Sequence, residues 1–182
     1  MRLILFSGGI ESTALLTIAN PEDVALIVQP SLNGDFATYK DFTAQQIAYR
    51  FGVRLAYAKA LVPDPGPFHF VHQMTVFISL CNLAVARDPK ITEVWCGRNS
   101  AEPSFEIKDY IEQNMAAWKI LHPTVPFLHP LDHLSKMEQW ERIPLDVQPL
   151  VSSCIYHNNC GKCNKCEEKK WVYRNLQDVT NN

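Results

Sequence analysis

No stretch of the 182-residue chain approaches the roughly 18 consecutive apolar residues of a membrane-spanning helix, and interior runs such as Val76-Phe77-Ile78 read as core material. The apolar run Leu3–Phe6 is shorter than the hydrophobic region of a secretory signal, and no cleavage site follows it. A cytosolic protein without a membrane role is expected. Neither sign of charge dominates. Seventeen Lys and Arg against nineteen Asp and Glu leave a net charge of −2, which gives little general attraction to nucleic acid, although a local basic patch stays open. Internal repeats and low-complexity segments are also absent. Two common nucleotide-binding turns are missing as well: no Gly-Lys-Ser/Thr phosphate loop occurs, nor the three-glycine dinucleotide fingerprint.

What is present is ordinary globular composition, 47% apolar and 20% charged, enough for one well-buried core. Four short apolar runs, at residues 3–6, 24–28, 53–58 and 91–96, read as buried strands. Helical spacing separates them. Phe42, Ile47, Ala48 and Phe51 mark one helix before Gly52. Phe70, Met74, Phe77, Ile78, Cys81 and Val85 mark another, which stops before Pro89. Ile107, Ile111, Met115 and Trp118 line a third, and Ser135 opens a fourth containing Met137 and Trp140. This alternation predicts an α/β fold, a mostly parallel sheet with helices on both faces. Residues 1–149 are expected to form this α/β domain, with 150–182 a small C-terminal module packed on it. Ligands of such a sheet sit beyond the carboxyl ends of the strands, where the loops at 7–12, 29–34, 61–68 and 97–105 should open.

The first of those loops, Ser7-Gly8-Gly9-Ile10-Glu11-Ser12-Thr13, joins the first strand to the first helix. Two glycines allow close approach and positive φ, Ser7, Ser12 and Thr13 carry hydroxyls, and a helix opening has amides without intrahelical acceptors. This combination suits a phosphate group. A plain tight turn with Ser12 as a cap is the alternative.

Six cysteines are present, and four of them, Cys154, Cys160, Cys163 and Cys166, fall within thirteen residues at intervals of six, three and three. Two-residue gaps let turns aim thiolates at one ion, and four thiolates suit a closed, tetrahedral, structural Zn²⁺ site. An iron–sulfur cluster is the alternative. Cys81 and Cys96 stand in apolar surroundings and read as packing. Lys162, Lys165, Lys169, Lys170 and Arg174 follow or interleave the cluster. With Glu167 and Glu168 interrupting them they read as a solvated face, contact with phosphate or RNA being the alternative.

Ser-Gly-Gly-x-x-Ser-Thr after the first strand, together with the C-terminal cysteines, resembles the 7-cyano-7-deazaguanine synthase family of PP-loop ATP pyrophosphatases. Three further stretches are similar to that family: Gly97-Arg98-Asn99-Ser100-Ala101-Glu102, Pro130-Leu131 followed by Ser135-Lys136-Met137-Glu138-Gln139-Trp140, and Ser153-Cys154-Ile155-Tyr156 leading to Cys160-Gly161-Lys162-Cys163. The chain departs from the pattern at Glu11 and Glu102, where Asp is usual, at Gln73-Met74, where Arg-Asn is usual, at residues 29–35, which replace an aromatic stretch containing Gly-Gln, and at 104–106, where a longer region is shortened. It is also shorter than most members.

The resemblance implies ATP-dependent activation of a carboxylate, with release of AMP and pyrophosphate, and then amide and nitrile formation from ammonia on a 7-deazaguanine-like acid. It implies Ser7, Gly8, Gly9, Ser12, Thr13, Gly97 and Asn99 as nucleotide-binding residues. Glu11 (beside Mg²⁺), Lys136 and Glu102 become the catalytic candidates. Lys136 and Glu102 also read plainly as solvated side chains and Asn99 as a cap. The expected cofactors are ATP, Mg²⁺ and Zn²⁺, and the expected partners a small acid and ammonia. A homodimer, modification of another base or of tRNA, and a non-catalytic nucleotide-binding subunit are the other readings.

Overall fold

The computed structural model describes residues 1–31, 38–61, 69–98, 105–152, 161–162, 166–167, 169–172 and 174. Within them the chain runs β1 (Arg2–Leu5), α1 (Ile10–Leu16), β2 (Val24–Ser31), α2 (Thr38–Arg50), β3 (Arg54–Leu61), α3 (His69–Arg87), β4 (Glu93–Cys96), α4 (Phe105–Leu121), β5 (Phe127–Leu128) and α5 (Lys136–Arg142). All strand pairings are parallel, in the order β3-β2-β1-β4-β5. The α/β expectation is borne out. The chain winds outward from β1 to β3, then crosses back and continues on the other side of β1. The direction of winding therefore reverses between β1 and β4.

Side-chain alternation along the strands builds two cores. Ile4, Phe6, Ala25, Ile27 and Trp95 pack with Ile10, Ala14 and Leu15 of α1, Ala44 and Ile47 of α2, and Trp140 of α5. Their neighbours one residue away, Leu3, Leu5, Leu26 and Val94, pack with Ile78 and Cys81 of α3 and Trp118 of α4. This period of two is what strands buried on both faces require. Val151 and Val172, both fully buried, belong to the first of these cores, so the C-terminal residues share the packing of the main sheet.

Two elements differ from expectation. β2 continues through Pro30 to Ser31, paired with β3 throughout. Its pairing with β1 ends at Leu26, where Phe6 N also bonds Leu26 O, so a proline without an N–H removes no bond from that side. β5 is a fifth strand of two residues, held by Val94 N to Pro126 O at 2.9 Å and by pairing with Val94 and Trp95. Two residues display no periodicity, so pattern reading passes over it. α5 begins as expected at Ser135, whose side chain forms a capping box with Glu138.

The amino end of the sheet is tied by Asp23, which is 1% exposed. Its carboxylate takes Arg2 N and Nε, each at 2.8 Å, and Asn20 N at 2.7 Å, and the Arg2 guanidinium lies 4.1 Å from the Trp95 ring centroid. Burial pushes the Asp23 carboxyl up, but the hydrogen bonds from Arg2 and Asn20 outweigh it and hold it below the usual range. A depressed folded value stabilises the fold above the unfolded carboxylate range near pH 4. That contribution is lost as pH falls through the lower folded value. Asp23→Ala leaves Arg2 unpaired and is expected to cost about 3 kcal/mol. Urea unfolding at pH 7 checks the cost, and the gap between wild type and variant should narrow below about pH 4.

Candidate functional site

The reversal point between β1 and β4 is where an open α/β sheet leaves a crevice at its carboxyl edge. The chain leaves β1 through Phe6 into Ser7-Gly8-Gly9. Gly8 takes φ +76°, a left-handed conformation that is strained for any residue with a side chain. Gly9 caps α1 without a side chain. The hydroxyls expected to face a phosphate are largely turned inward. Ser12 Oγ accepts from Ser7 N at 3.2 Å, lies 3.1 Å from Ser7 Oγ and donates to Gly9 O at 3.3 Å, while Gly9 N donates to Ser7 Oγ at 3.3 Å. Ser12 is buried and Ser7 is exposed. Thr13 is fully buried, and its Oγ1 has no hydrogen-bond partner among the described residues. The serines thus staple the turn from within. Ser152 N, donating to Gly8 O at 2.8 Å, fixes the turn from the C-terminal side.

β4 delivers the other wall. Gly97 acts through its missing side chain: a β-carbon there would lie 2.7 Å from both Glu11 C and Ser12 N. The end of β4 therefore abuts the first turn of α1 directly. The next peptide is clasped by Gln139, a fully buried side chain whose Nε2 donates to Arg98 O at 2.6 Å, Leu131 O at 2.9 Å and Leu134 O at 3.3 Å.

α5 carries Lys136 to this place. Its Nζ lies 2.8 Å from Glu11 Oε1, with the two side chains 16% and 18% exposed. The plain expectation of a solvated helix lysine is corrected: Lys136 is mostly buried and ion-paired with Glu11, one of the two other catalytic candidates. The pair sits where bulk salt screens it weakly. Lys169 corrects the solvated-face reading in the same way, because it is partly buried and its Nζ donates to Val151 O. Lys170 is exposed and bonds Gly161 O at 2.6 Å and Glu167 at 2.8 Å.

Past β5, His129 directs Nδ1 to Cys96 O at 3.1 Å, beside Gly97. A carbonyl can only accept, so Nδ1 carries the proton and Nε2 presents a lone pair whenever the ring is neutral. Burial pushes this imidazole below the usual histidine range. The nearby Arg98 charge adds to that, against the Cys96 bond and Asp132. Pattern reading passed over His129, Gln139 and Ser152. A histidine ending a strand just before Pro130 would have been the clue, had that strand been visible.

Asn99 and Glu102 lie outside the described residues, as do Cys154, Cys160 and Cys163, and the side chains of Gln73 and Met74. Cys166 is buried at the head of a helical stretch through residues 166–167 and 169–172. Among the described residues, no group of three or more His, Cys, Asp or Glu is placed to hold a metal. No described helix is long and apolar enough to cross a membrane.

A β-carbon at position 97 must displace backbone rather than a flexible side chain. Gly97→Ala is expected to cost about 1–3 kcal/mol in denaturant unfolding and to open the gap between β4 and α1. A stability equal to wild type would contradict this close contact.

No protein-family model matches the chain, and no curated protein does.

Proposed function

We propose that the chain is an ATP-dependent enzyme that activates a carboxylate as an acyl adenylate and transfers the acyl group to ammonia, on an acid of the 7-deazaguanine type. One observation carries this reading: the Ser7–Thr13 turn stands at the reversal point of the sheet, with Lys136 brought to it by α5 and Glu11 beside it. The similarity of the turn, the Gly97 stretch, the Ser135–Trp140 stretch and the cysteine cluster to 7-cyano-7-deazaguanine synthases supplies the substrate class.

A carboxylate resists ammonia because oxide is a poor leaving group. Attack of the acid oxygen on the α-phosphorus of ATP forms a phosphorus–oxygen bond, breaks the α–β bridge and expels pyrophosphate. Ammonia then forms the carbon–nitrogen bond as AMP departs with its oxygen and electron pair. The protein supplies position and charge. The amides opening α1 receive phosphate oxygens, Gly8 and Gly9 leave room for them, and Lys136 offsets the charge that builds on phosphate. Glu11 is the residue that would hold Mg²⁺, which neutralises phosphate charge when bound. In the ligand-free site Lys136 and Glu11 neutralise one another.

The donor set at the other end fits Zn²⁺: four thiolates from Cys154, Cys160, Cys163 and Cys166, the last of them buried. Zinc bound there supplies a structural cross-link.

Purified protein given ATP, magnesium, ammonium and 7-carboxy-7-deazaguanine should form AMP and pyrophosphate in equal amounts, and intact-mass analysis should show amide or nitrile. The absence of ATP turnover with any acid would sink the amide-forming reading. Lys136→Met should lower acid-dependent AMP formation about a hundredfold or more. Metal analysis should give about one zinc per chain, and chelation should lower the melting temperature by about 10 °C or more.

A further inference from the structure

We propose that Arg98 and His129 form the acceptor subsite at the carboxyl end of β4, with Arg98 holding the carboxylate of the acid and His129 Nε2 taking the proton from the attacking nitrogen. The subsite rests on the adenylation reading for its second step, while its carboxylate-binding half does not need that step.

Both residues are fixed to the same short length of chain. His129 bonds Cys96 O, and Gln139 bonds Arg98 O, so two independent side chains hold the backbone on either side of Gly97. Gly97 in turn lies against the Glu11–Ser12 peptide. A ligand bridging the Ser7–Thr13 turn and this corner would therefore need only to span the contact between β4 and α1. No described hydrogen bond or ion pair engages the partly buried Arg98 guanidinium, and its charge reaches His129. A guanidinium presents paired donors that match a carboxylate, which makes it the natural holder of an acid here.

The imidazole is prepared for one task. Its Nδ1 proton is committed to Cys96 O, so the free edge is Nε2. The groups acting on it are the Cys96 carbonyl, Arg98 and Asp132, with the Phe127 ring 5.7 Å away between centroids. Burial and Arg98 favour the neutral ring, and a neutral ring is a base. As ammonia attacks the acyl carbon, the new carbon–nitrogen bond leaves nitrogen positively charged. His129 Nε2 accepts that proton while AMP leaves with the carbon–oxygen electron pair, and the imidazolium then returns the proton to solvent. Atoms and charge balance without a further reactant.

The test uses the full zinc-loaded chain with ¹⁵N-labelled histidine, titrated with 7-carboxy-7-deazaguanine with and without Mg-ATP. Arg98→Gln, Arg98→Lys and His129→Asn are compared with wild type. The Asn amide still donates to Cys96 O, so that variant keeps the bond and lacks the base. Thermal melts establish that each variant is folded. In wild type, the acid should move the His129 Nε2 resonance. Arg98→Gln should weaken acid binding ten- to a hundredfold, with Arg98→Lys intermediate and Mg-ATP affinity unchanged. His129→Asn should keep acid binding and the first-turnover burst of pyrophosphate that marks adenylation, yet slow amide formation and the AMP release coupled to it about 10²–10⁴-fold, with recovery as rising pH supplies free ammonia. The subsite is overturned by acid binding that leaves His129 unmoved, by equal affinity in Arg98→Gln, by wild-type amide formation in His129→Asn, or by no acid binding under either condition. Acid that perturbs His129 through Arg98 in a protein that never binds Mg-ATP would remove the adenylation reading and leave the carboxylate subsite standing.

Discussion

The contact between Gly97 and the Glu11–Ser12 peptide sets the spacing on which the rest of the site depends. At 2.7 Å from a would-be β-carbon, there is no room for any other residue without moving a strand or a helix. Because β4 reaches α1 so closely, Gly97 and Arg98 at the end of β4 stand directly beside the turn that follows β1. The strand order produces the same result at a larger scale. A sheet wound outward from β1 in both directions has to part at the β1–β4 seam, and the chain places its least bulky residues there.

Around that seam, polar groups divide between holding the scaffold and facing outward. Ser7 and Ser12 spend their hydroxyls on the turn itself, Gln139 spends its amide nitrogen on three carbonyls, and Ser152 gives its peptide N–H to Gly8. Each of these bonds satisfies a group that would be costly to bury alone. The groups that the proposed reaction would use stand beside these: backbone at the head of α1, the Lys136–Glu11 pair, the Arg98 guanidinium and the far edge of His129. Positive and negative charge are balanced in the pair, which allows two ionised side chains to stay mostly buried before an anion arrives. Were Lys136 to turn to a phosphate under the proposed reading, the Glu11 carboxylate would need a second cation, the place that reading gives to Mg²⁺.

The parts of this arrangement that local pattern encodes were readable from the chain. Strand, double glycine and helix at residues 2–16, the helices at α3 and α4, and the Ser135 cap all follow from periodicity and punctuation within a dozen residues. The missing parts are those decided by distant segments. Pro30 argues against a strand until one knows that the pairing of β2 with β1 ends at Leu26, and Phe127-Leu128 is too short to announce itself until β4 lies beside it. Lys136 looks like any exposed helix lysine, since its partner stands 125 positions earlier. Ser7 and Ser12 are correctly placed at the turn by sequence, but hydroxyl direction depends on coordinates. His129 gains its meaning only from the Cys96 carbonyl, 33 residues away.

The C-terminal residues belong to the same physical unit as the turn. Val151 and Val172 are buried among Ile10, Ala14 and Trp140, Lys169 anchors to Val151 O, and the adjoining Ser152 N anchors Gly8 O. A cross-link among the nearby cysteines would hold both ends of this strap, because Cys154 follows Ser152 by two positions and Cys166 precedes Lys169 by three. Constraining the strap restricts the Gly8 peptide, and the Gly8 peptide shapes the backbone that opens α1. Among the described residues, the C-terminal stretch is thus tied to the Ser7–Gly9 turn through Ser152 and to the first core through Val151 and Val172.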